Sequence, residues 1–331
     1  MRIAAFGRTR MLYDTIKLLS QNGHEIVLIG TCKEAPEYDI VSADFEDLSI
    51  KLQVPFFNTS AINSEEVISM LYACNADIAV SMNWLTVVGQ SVTDAFPYGV
   101  LNAHPGDLPK YRGNACPNWA MMSNDEKIVI SIHQMEPDKL DSGAIILKDS
   151  FSITKDTRIG EIYNFLQKSV PLLFLQAVDG LYNGTIKPQP QNTDNILRCY
   201  PRIPSDSLIS WGKRVESILR LINASSEPFA GAYTYYNMSK LTIWRASIKE
   251  FENQSLYVPG QVVYIDKSTG DVEVAAADGI VVLHEVQLDN KGRIPPALII
   301  KSIRTRLGMN IEDEIYKLHQ KNIMLDCGDK S

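Results

Sequence analysis

Apolar and polar positions alternate in blocks along the first hundred residues, and the blocks change period. Arg2 to Phe6 is a short, mostly apolar run closed by Gly7. Met11-Leu12-Tyr13 and Ile16-Lys17-Leu18-Leu19 follow at helical spacing, then a turn at Gln21 to His24. Glu25 to Gly30 is continuous and apolar enough for a buried strand. Strand, helix and strand within about thirty residues predict a βαβ unit, hence a parallel sheet with right-handed crossover. Lys33 to Lys51 is rich in acidic residues and reads as a solvated excursion. Asn63-Ser64-Glu65-Glu66 predicts a capped helix start running to Cys74. Asp77 to Met82, Gly99 to His104 and Ile128 to His133 read as further strands, and Ile159 to Tyr182 as a long helix with a kink at Pro171.

Past that helix the texture changes. Ile186 to Asn192 is rich in Pro, Gln and Asn with no apolar period, so it reads as a linker. Asp206 to Asn223 is partly helical. Beyond it come short runs such as Gly231 to Tyr236, Leu241 to Trp244, Gly260 to Ile265 and Ile280 to His284, separated by turn residues. Short strands between turns predict a small β-barrel. The expected fold is thus an α/β, Rossmann-like, mainly parallel sheet domain over residues 1–190. A linker at 191–204, a C-terminal OB-like barrel at 205–310 and a charged tail at 311–331 complete it.

Composition narrows the function classes. Apolar residues make up 45% of the 331 and charged ones 21%, enough for a sizeable core. A net charge of −7 opposes a partner that must have many phosphates neutralised. Five scattered cysteines without a CxxC predict a reducing compartment and no zinc site. The N-terminus offers neither a long apolar region nor a small-residue cleavage site, and no run reaches about 20 apolar residues, so the chain is expected to be cytoplasmic and off the membrane. The segment after the first strand is Phe6-Gly7-Arg8-Thr9-Arg10 and lacks a GxGxxG, which argues against NAD or FAD. No HExxH or Cys/His cluster predicts a metal.

The chemistry concentrates in Asn102-Ala103-His104-Pro105 and Leu108-Pro109-Lys110-Tyr111-Arg112-Gly113-Asn114, with His133-Gln134-Met135 and Asp141-Ser142-Gly143 downstream. Asn102 and His104 lie two apart on a strand end and can project from one face. Polar residues at the carboxyl end of a strand in an open α/β sheet stand where ligands bind. This run resembles the N10-formyltetrahydrofolate-dependent formyltransferase family, which includes methionyl-tRNA, glycinamide ribonucleotide and nucleotide-sugar N-formyltransferases. The resemblance covers residues 1 to about 190. Cys199-Tyr200-Pro201-Arg202-Ile203-Pro204, the Trp211 region and Gly231-Ala232 resemble the start of the C-terminal domain shared by the tRNA and some sugar enzymes.

The resemblance implies a catalytic trio of Asn102, His104 and Asp141, and the chemistry needs those types. Formyl transfer to an amine passes through a tetrahedral oxyanion, and an Asn amide can donate to it. The amine must shed a proton and the folate nitrogen must accept one, which a histidine can manage near neutrality. A carboxylate beside the histidine would stabilise its protonated form. The resemblance also implies N10-formyltetrahydrofolate as co-substrate, with its pterin beside Asn83-Trp84-Leu85-Thr86-Val87-Val88 and Asp138-Lys139-Leu140 approaching from the other side. Arg8, Thr9, Arg10, Lys110, Tyr111, Arg112, Asn114 and Trp119 are the candidate acceptor contacts, Arg8 and Arg10 because they follow the first strand where phosphates could reach.

Each of these residues also has a bland reading. His104 alone reads as a hydrogen-bonded structural histidine, Asn102 as a turn former, and Asp141 as a cap on Ser142-Gly143; the shared context turns them toward catalysis. Trp84 and Trp119 serve equally as core anchors, Arg112 as a brace for the proline-rich loop, His133 as a supporting hydrogen bonder, and Cys116 as packing. For the acceptor, the acidic stretch from Glu34 to Asp47 would repel tRNA, and a glycinamide ribonucleotide enzyme would stop near the end of the first domain. A dTDP- or UDP-linked amino-deoxysugar, of the kind used in bacterial surface polysaccharides, is the expected acceptor. Methionyl-tRNA is the alternative, and a formyltetrahydrofolate hydrolase or non-catalytic folate-binding module the second alternative. The sugar enzymes' habit also implies a homodimer, with Val281 to Leu283 facing outward.

Overall fold

Ile3 to Phe6 are each buried to about 1% exposure or less, as a strand covered on both faces of a parallel sheet must be. They belong to β1 (Arg2–Gly7). The computed structural model describes residues 1–35, 38–249, 256–308, 315 and 319. From β1 the chain runs through α1 (Arg10–Gln21), β2 (Glu25–Thr31), α2 (Ser42–Leu52), β3 (Phe56–Asn58), α3 (Glu65–Ala73), β4 (Ile78–Met82), α4 (Gln90–Thr93) and β5 (Val100–His104). Next come β6 (Arg112–Gly113), α5 (Cys116–Met122), β7 (Lys127–Gln134), β8 (Ile145–Ser152), α6 (Ile159–Tyr182) and β9 (Arg198–Cys199).

Seven strands form one sheet in the order β3-β2-β1-β4-β5-β7-β8. Pairing is parallel from β3 to β5, while β7 runs antiparallel to β5 and β8 antiparallel to β7. The α/β architecture with a mostly parallel sheet is therefore the one expected. The chain winds outward from β1 in both directions, so the strand order reverses between β1 and β4, and the carboxyl ends of β1, β4 and β5 open on one rim. That rim is where such sheets bind ligands.

Several local expectations need correction. The acidic excursion contains most of α2: Phe45 is 1% and Leu48 5% exposed, so a buried stripe organises an otherwise charged stretch. β8 was not anticipated, because as an edge strand it buries little besides Ile146. α6, by contrast, has the expected bounds, one 24-residue helix with Pro171 inside it. The segment read as a linker is not free either. Gln189 exchanges both backbone hydrogen bonds with Ile145, and β9 pairs in parallel with β6.

The chain divides into two units, one of Met1–Thr154 with Arg158–Arg202, the other of Lys155–Thr157 with the residues from Ile203 onward. The second unit contains α7 (Val215–Ser225) and five antiparallel strands, β10 (Ala232–Tyr236), β11 (Ser239–Lys249), β12 (Val262–Ile265), β13 (Val272–Ala275) and β14 (Ile280–Leu288). Their order is β10-β11-β14-β13-β12. Both edges are met by one segment: the Val262 N–H donates to Thr305 O, the Leu307 N–H to Gly260 O, and the Gly308 N–H to Tyr235 O. The small β domain thus manages its edges by near closure. Its interior is apolar, with Ile222, Leu241, Ile243, Val274, Val281 and Leu283 fully buried. This corrects the outward placing of Val281 and Leu283: they face the core, and only Val282 between them points away. The tail at 311–331 lies outside the described residues apart from two positions.

Candidate active site

β5 and β7 place the reacting groups by register. Asn102 pairs with His133 across the antiparallel ladder, and His104 with Ser131. Residues directly opposite on such a ladder share a face, so Asn102 and His133 meet: the Asn102 amide nitrogen stands 3.1 Å from His133 Nε2. Asp141 arrives from the turn after β7, at a left-handed φ of 49°. Its Oδ2 is 3.5 Å from His104 Nδ1 and its Oδ1 3.6 Å from His133 Nε2. Asn102, His104 and Asp141 are therefore brought together, with His133 as a fourth member.

The turns that deliver these groups are tightly built. A side chain on Gly106 would run into His104 Nε2 at 2.6 Å, and one on Gly143 would strike the Gln134 carbonyl. Ser131 Oγ donates to Gly106 O, tying the loop after β5 to β7. Asp141 Oδ2 accepts from the Gly113 N–H at 2.8 Å. Gln191 donates from its amide to both Asp141 O and Gly143 O, while its Oε1 accepts from the Arg112 guanidinium. Arg112 thus braces the acidic turn through Gln191.

The hydrogen bonds fix the imidazole tautomers. His104 Nε2 lies 2.6 Å from the Tyr111 carbonyl oxygen, which can only accept, so Nε2 carries a proton. Nδ1, beside Asp141, is left as the basic nitrogen. His133 is 1% exposed, and its Nδ1 is 2.7 Å from the Gln134 carbonyl oxygen. Burial first, and the neighbouring His104 second, lower its pKa to about 4, against the opposing pull of Asp141. His133 is neutral at pH 7. Burial pushes the Cys116 thiol far up, so although its Sγ is 3.6 Å from His104 Nε2 it is no nucleophile there, and it donates to Tyr111 O instead.

An open cleft of about 300 Å³ holds all four groups. Asn83 to Val88 line one wall, and Lys139 and Leu140 approach opposite. Asp138 is not on the cleft surface; its N–H donates to Val88 O and ties the two walls. Trp84 lines the cleft yet is anchored edge-on to Phe6 and Phe57, so it is core and wall at once. Of the residues expected to touch the acceptor, only Asn114 lines this cleft. Arg8 donates to Asn83 O and Lys33 O, and Arg10 pairs with Asp39, so both brace loops instead of facing the cleft. Thr9 is the buried N-cap residue of α1. Lys110 pairs with Asp125, and with Tyr111 lines a separate hollow of about 450 Å³ that none of the trio lines. The Trp119 indole N–H donates to Tyr200 O. The convergence of polar groups marks the cleft that holds the trio as the site.

His133 and Gln191 carry more of the site than the sequence reading allowed. The register of β5 on β7 shows which group the first supports, and only the return of the segment after α6 reveals the second. Among the described residues, no three His, Cys, Asp or Glu side chains gather where they could hold a metal ion, and no helix is long and apolar enough to cross a membrane.

Residues 1–178 match the family described as Formyl transferase, and residues 203–304 match Formyl transferase, C-terminal domain. The chain belongs to the formyl transferase family and is an enzyme of that class. A methionyl-tRNA formyltransferase of Clostridium tetani is 32% identical over 231 residues, covering 69% of this chain and 72% of that protein. One of Ruminiclostridium cellulolyticum is 24% identical over 299 residues, covering 89% and 94%. Among solved structures, an N-formyltransferase from Helicobacter canadensis in complex with folinic acid and dTDP-3-aminofucose shares the fold, with a TM-score of 0.63 at 16% identity over 86% of this chain and 98% of that one.

Proposed function

We propose that the enzyme moves the formyl group of N10-formyltetrahydrofolate onto the amine of a nucleotide-linked amino-deoxysugar. The observation that carries the reaction is the convergence of Asn102, His104 and Asp141 at the rim of one open cleft. The amine nitrogen attacks the formyl carbon, and the carbonyl oxygen becomes an oxyanion that accepts from the Asn102 amide. His104 Nδ1 takes the proton the amine loses, and Asp141 stabilises the imidazolium. The bond from the formyl carbon to the folate nitrogen then breaks, and that nitrogen receives the proton, giving tetrahydrofolate and the formamide. The apolar wall from Trp84 to Val88 and Leu140 suits a flat pterin. Its main-chain groups can read the ring edges.

For the acceptor, what supports a small nucleotide-linked amine is charge. The stretch from the end of β2 into α2 carries Glu34, Asp39 and Asp44, the second unit has acidic and basic residues in near balance, and the whole chain is at −7. A tRNA would have to approach without the phosphate neutralisation its affinity depends on. A nucleoside diphosphate presents far less charge. The second reading is methionyl-tRNA, favoured by a specific observation: the sequence relatives at 32% and 24% identity bear that name.

One experiment separates the two. The enzyme, with N10-formyltetrahydrofolate, is offered UDP- and dTDP-linked amino sugars and, in parallel, methionyl initiator tRNA. Mass spectrometry should show one added formyl group on a sugar nucleotide. Formylation of the tRNA with none on any sugar replaces the main reading with the second.

A further inference from the structure

A carboxamide has two ends of nearly the same size, and only its hydrogen-bond partners choose between them. For Asn102 the choice matters, since one orientation offers the oxyanion a donor and the other offers it a second acceptor. The partner that decides is His133. Its Nδ1 is 2.7 Å from the Gln134 carbonyl oxygen, an acceptor only, so Nδ1 holds the ring proton and Nε2 is a bare lone pair. Asn102 Nδ2 stands 3.1 Å from that lone pair. A bare nitrogen accepts from an NH2 and gains nothing from a carbonyl oxygen. The amide is therefore held with its nitrogen toward His133, one N–H engaged there and the other fixed in the same plane.

We infer that His133 is a positioning residue: its unprotonated Nε2 locks the Asn102 carboxamide in the one orientation that can deliver an N–H to the developing oxyanion. The use of that N–H rests on the formyl-transfer reading; the lock itself does not. Protonation would undo it. A charged ring has donors at both nitrogens, so Nε2–H would face the Asn102 NH2 and the amide would have to turn over. Three groups face the ring from the elements packed around it: His104 of β5, with ring centroids 6.2 Å apart; Asp141, 3.6 Å away in the turn after β7; and Arg112 of β6. Asp141 favours the charged ring, but burial and the two neighbouring bases outweigh it, and the ring stays neutral at working pH.

Two measurements test the lock on the full chain. In protein with 15N-labelled imidazoles, NMR should show His133 as the Nδ1–H tautomer, neutral as far down as about pH 5, with a coupling across the hydrogen bond to the Asn102 side-chain nitrogen. A charged ring at pH 7, or the Nε2–H tautomer, overturns the proposal without reference to activity. In kinetics, His133→Leu should lower kcat about 100-fold, the scale of a misplaced catalytic group, and leave the donor KM within about twofold. His133→Gln should regain most of the rate, because its carbonyl oxygen can accept from the same N–H. A His133→Leu enzyme at full kcat, or a glutamine variant as slow as the leucine one, sinks the lock, and a Leu variant that does not fold leaves the glutamine variant and the NMR arm to decide. Asn102→Ala run alongside keeps the two claims apart: if the unmutated protein formylates nothing, the function reading falls and NMR alone judges His133.

Discussion

Of the histidine–aspartate pairs among the described residues, two bear comparison, one lining the cleft of the first unit and one within the second unit. His104 and Asp141 approach to 3.5 Å in the first unit; His284 and Asp271 approach to 3.1 Å in the second, where Ser247 Oγ adds a 2.8 Å contact to His284 Nε2. By distance and residue type the second set is the better imitation of a catalytic triad. Surroundings reverse the ranking. The side chains of His104 and Asp141 are 5% and 10% exposed, those of His284 and Asp271 37% and 25%. The latter lie on the outer face of an antiparallel sheet, near the exposed Tyr264 and the Lys249–Glu273 pair. Water screens a pair there to a few tenths of a kcal/mol. The first pair has been taken out of water and given fixed partners, so its field acts on whatever enters the cleft. Dehydration with complete hydrogen bonding, more than short distance, separates a reacting centre from a surface cluster.

The comparison can be pressed from its strong end to its weak one. Asn102→Ala should cost about 3 kcal/mol of transition-state stabilisation, a fall of 10² to 10³ in kcat read by formyl-product mass spectrometry. Acid should then act mainly through the buried side. His133 in the native state refuses a proton that the unfolded chain accepts near pH 6.5. Its contribution is therefore complete above that pH and lost as pH falls from 6.5 toward 4, amounting to about 3 kcal/mol. Denaturant titrations across that range should show the loss in the unmutated protein and a smaller one in His133→Leu. Next, Gln191→Leu removes the two bonds that hold the Asp141 turn and the acceptor for Arg112. It should cost about 1–2 kcal/mol of stability and roughly tenfold in kcat. At the weak end, Asp271→Asn should change stability by no more than about 0.5 kcal/mol, with formyl transfer unaltered. An Asp271→Asn enzyme as crippled as Asn102→Ala would break the contrast.

Much of the fold was legible because burial leaves a period in the sequence. Runs such as Ile26 to Ile29 and Ala79 to Met82 are covered on both faces, and a short, mostly apolar run bounded by turn residues reads as a central strand. α2 was hidden because Asp44, Glu46 and Asp47 stand among the few side chains it buries, and β8 because an edge strand alternates with polar residues to solvent. At the site, Asn102, His104 and Asp141 could be picked out by type and spacing. Their partners could not. The donor to Asp141 is the Gly113 main-chain N–H, and the acceptor for His104 is the Tyr111 main-chain oxygen, atoms that every residue possesses and no sequence distinguishes. His133 was legible as a supporting hydrogen bonder, but its partner emerged only when the β5–β7 register set it opposite Asn102. The arginines Arg8 and Arg10 looked like phosphate ligands because sequence shows charge and position, not the loop carbonyls and carboxylate that occupy them.

The clamp made by Gln191 has a practical consequence for anyone dissecting this enzyme. The family match to the first domain stops at residue 178, and a fragment cut there would still carry every strand of the large sheet. It would lack the Gln189 bridge to Ile145, the glutamine that grips the acidic turn, and the β9 partner of β6. Such a piece should fold and still be a poor catalyst, and a boundary drawn after Arg202 would be the one to choose.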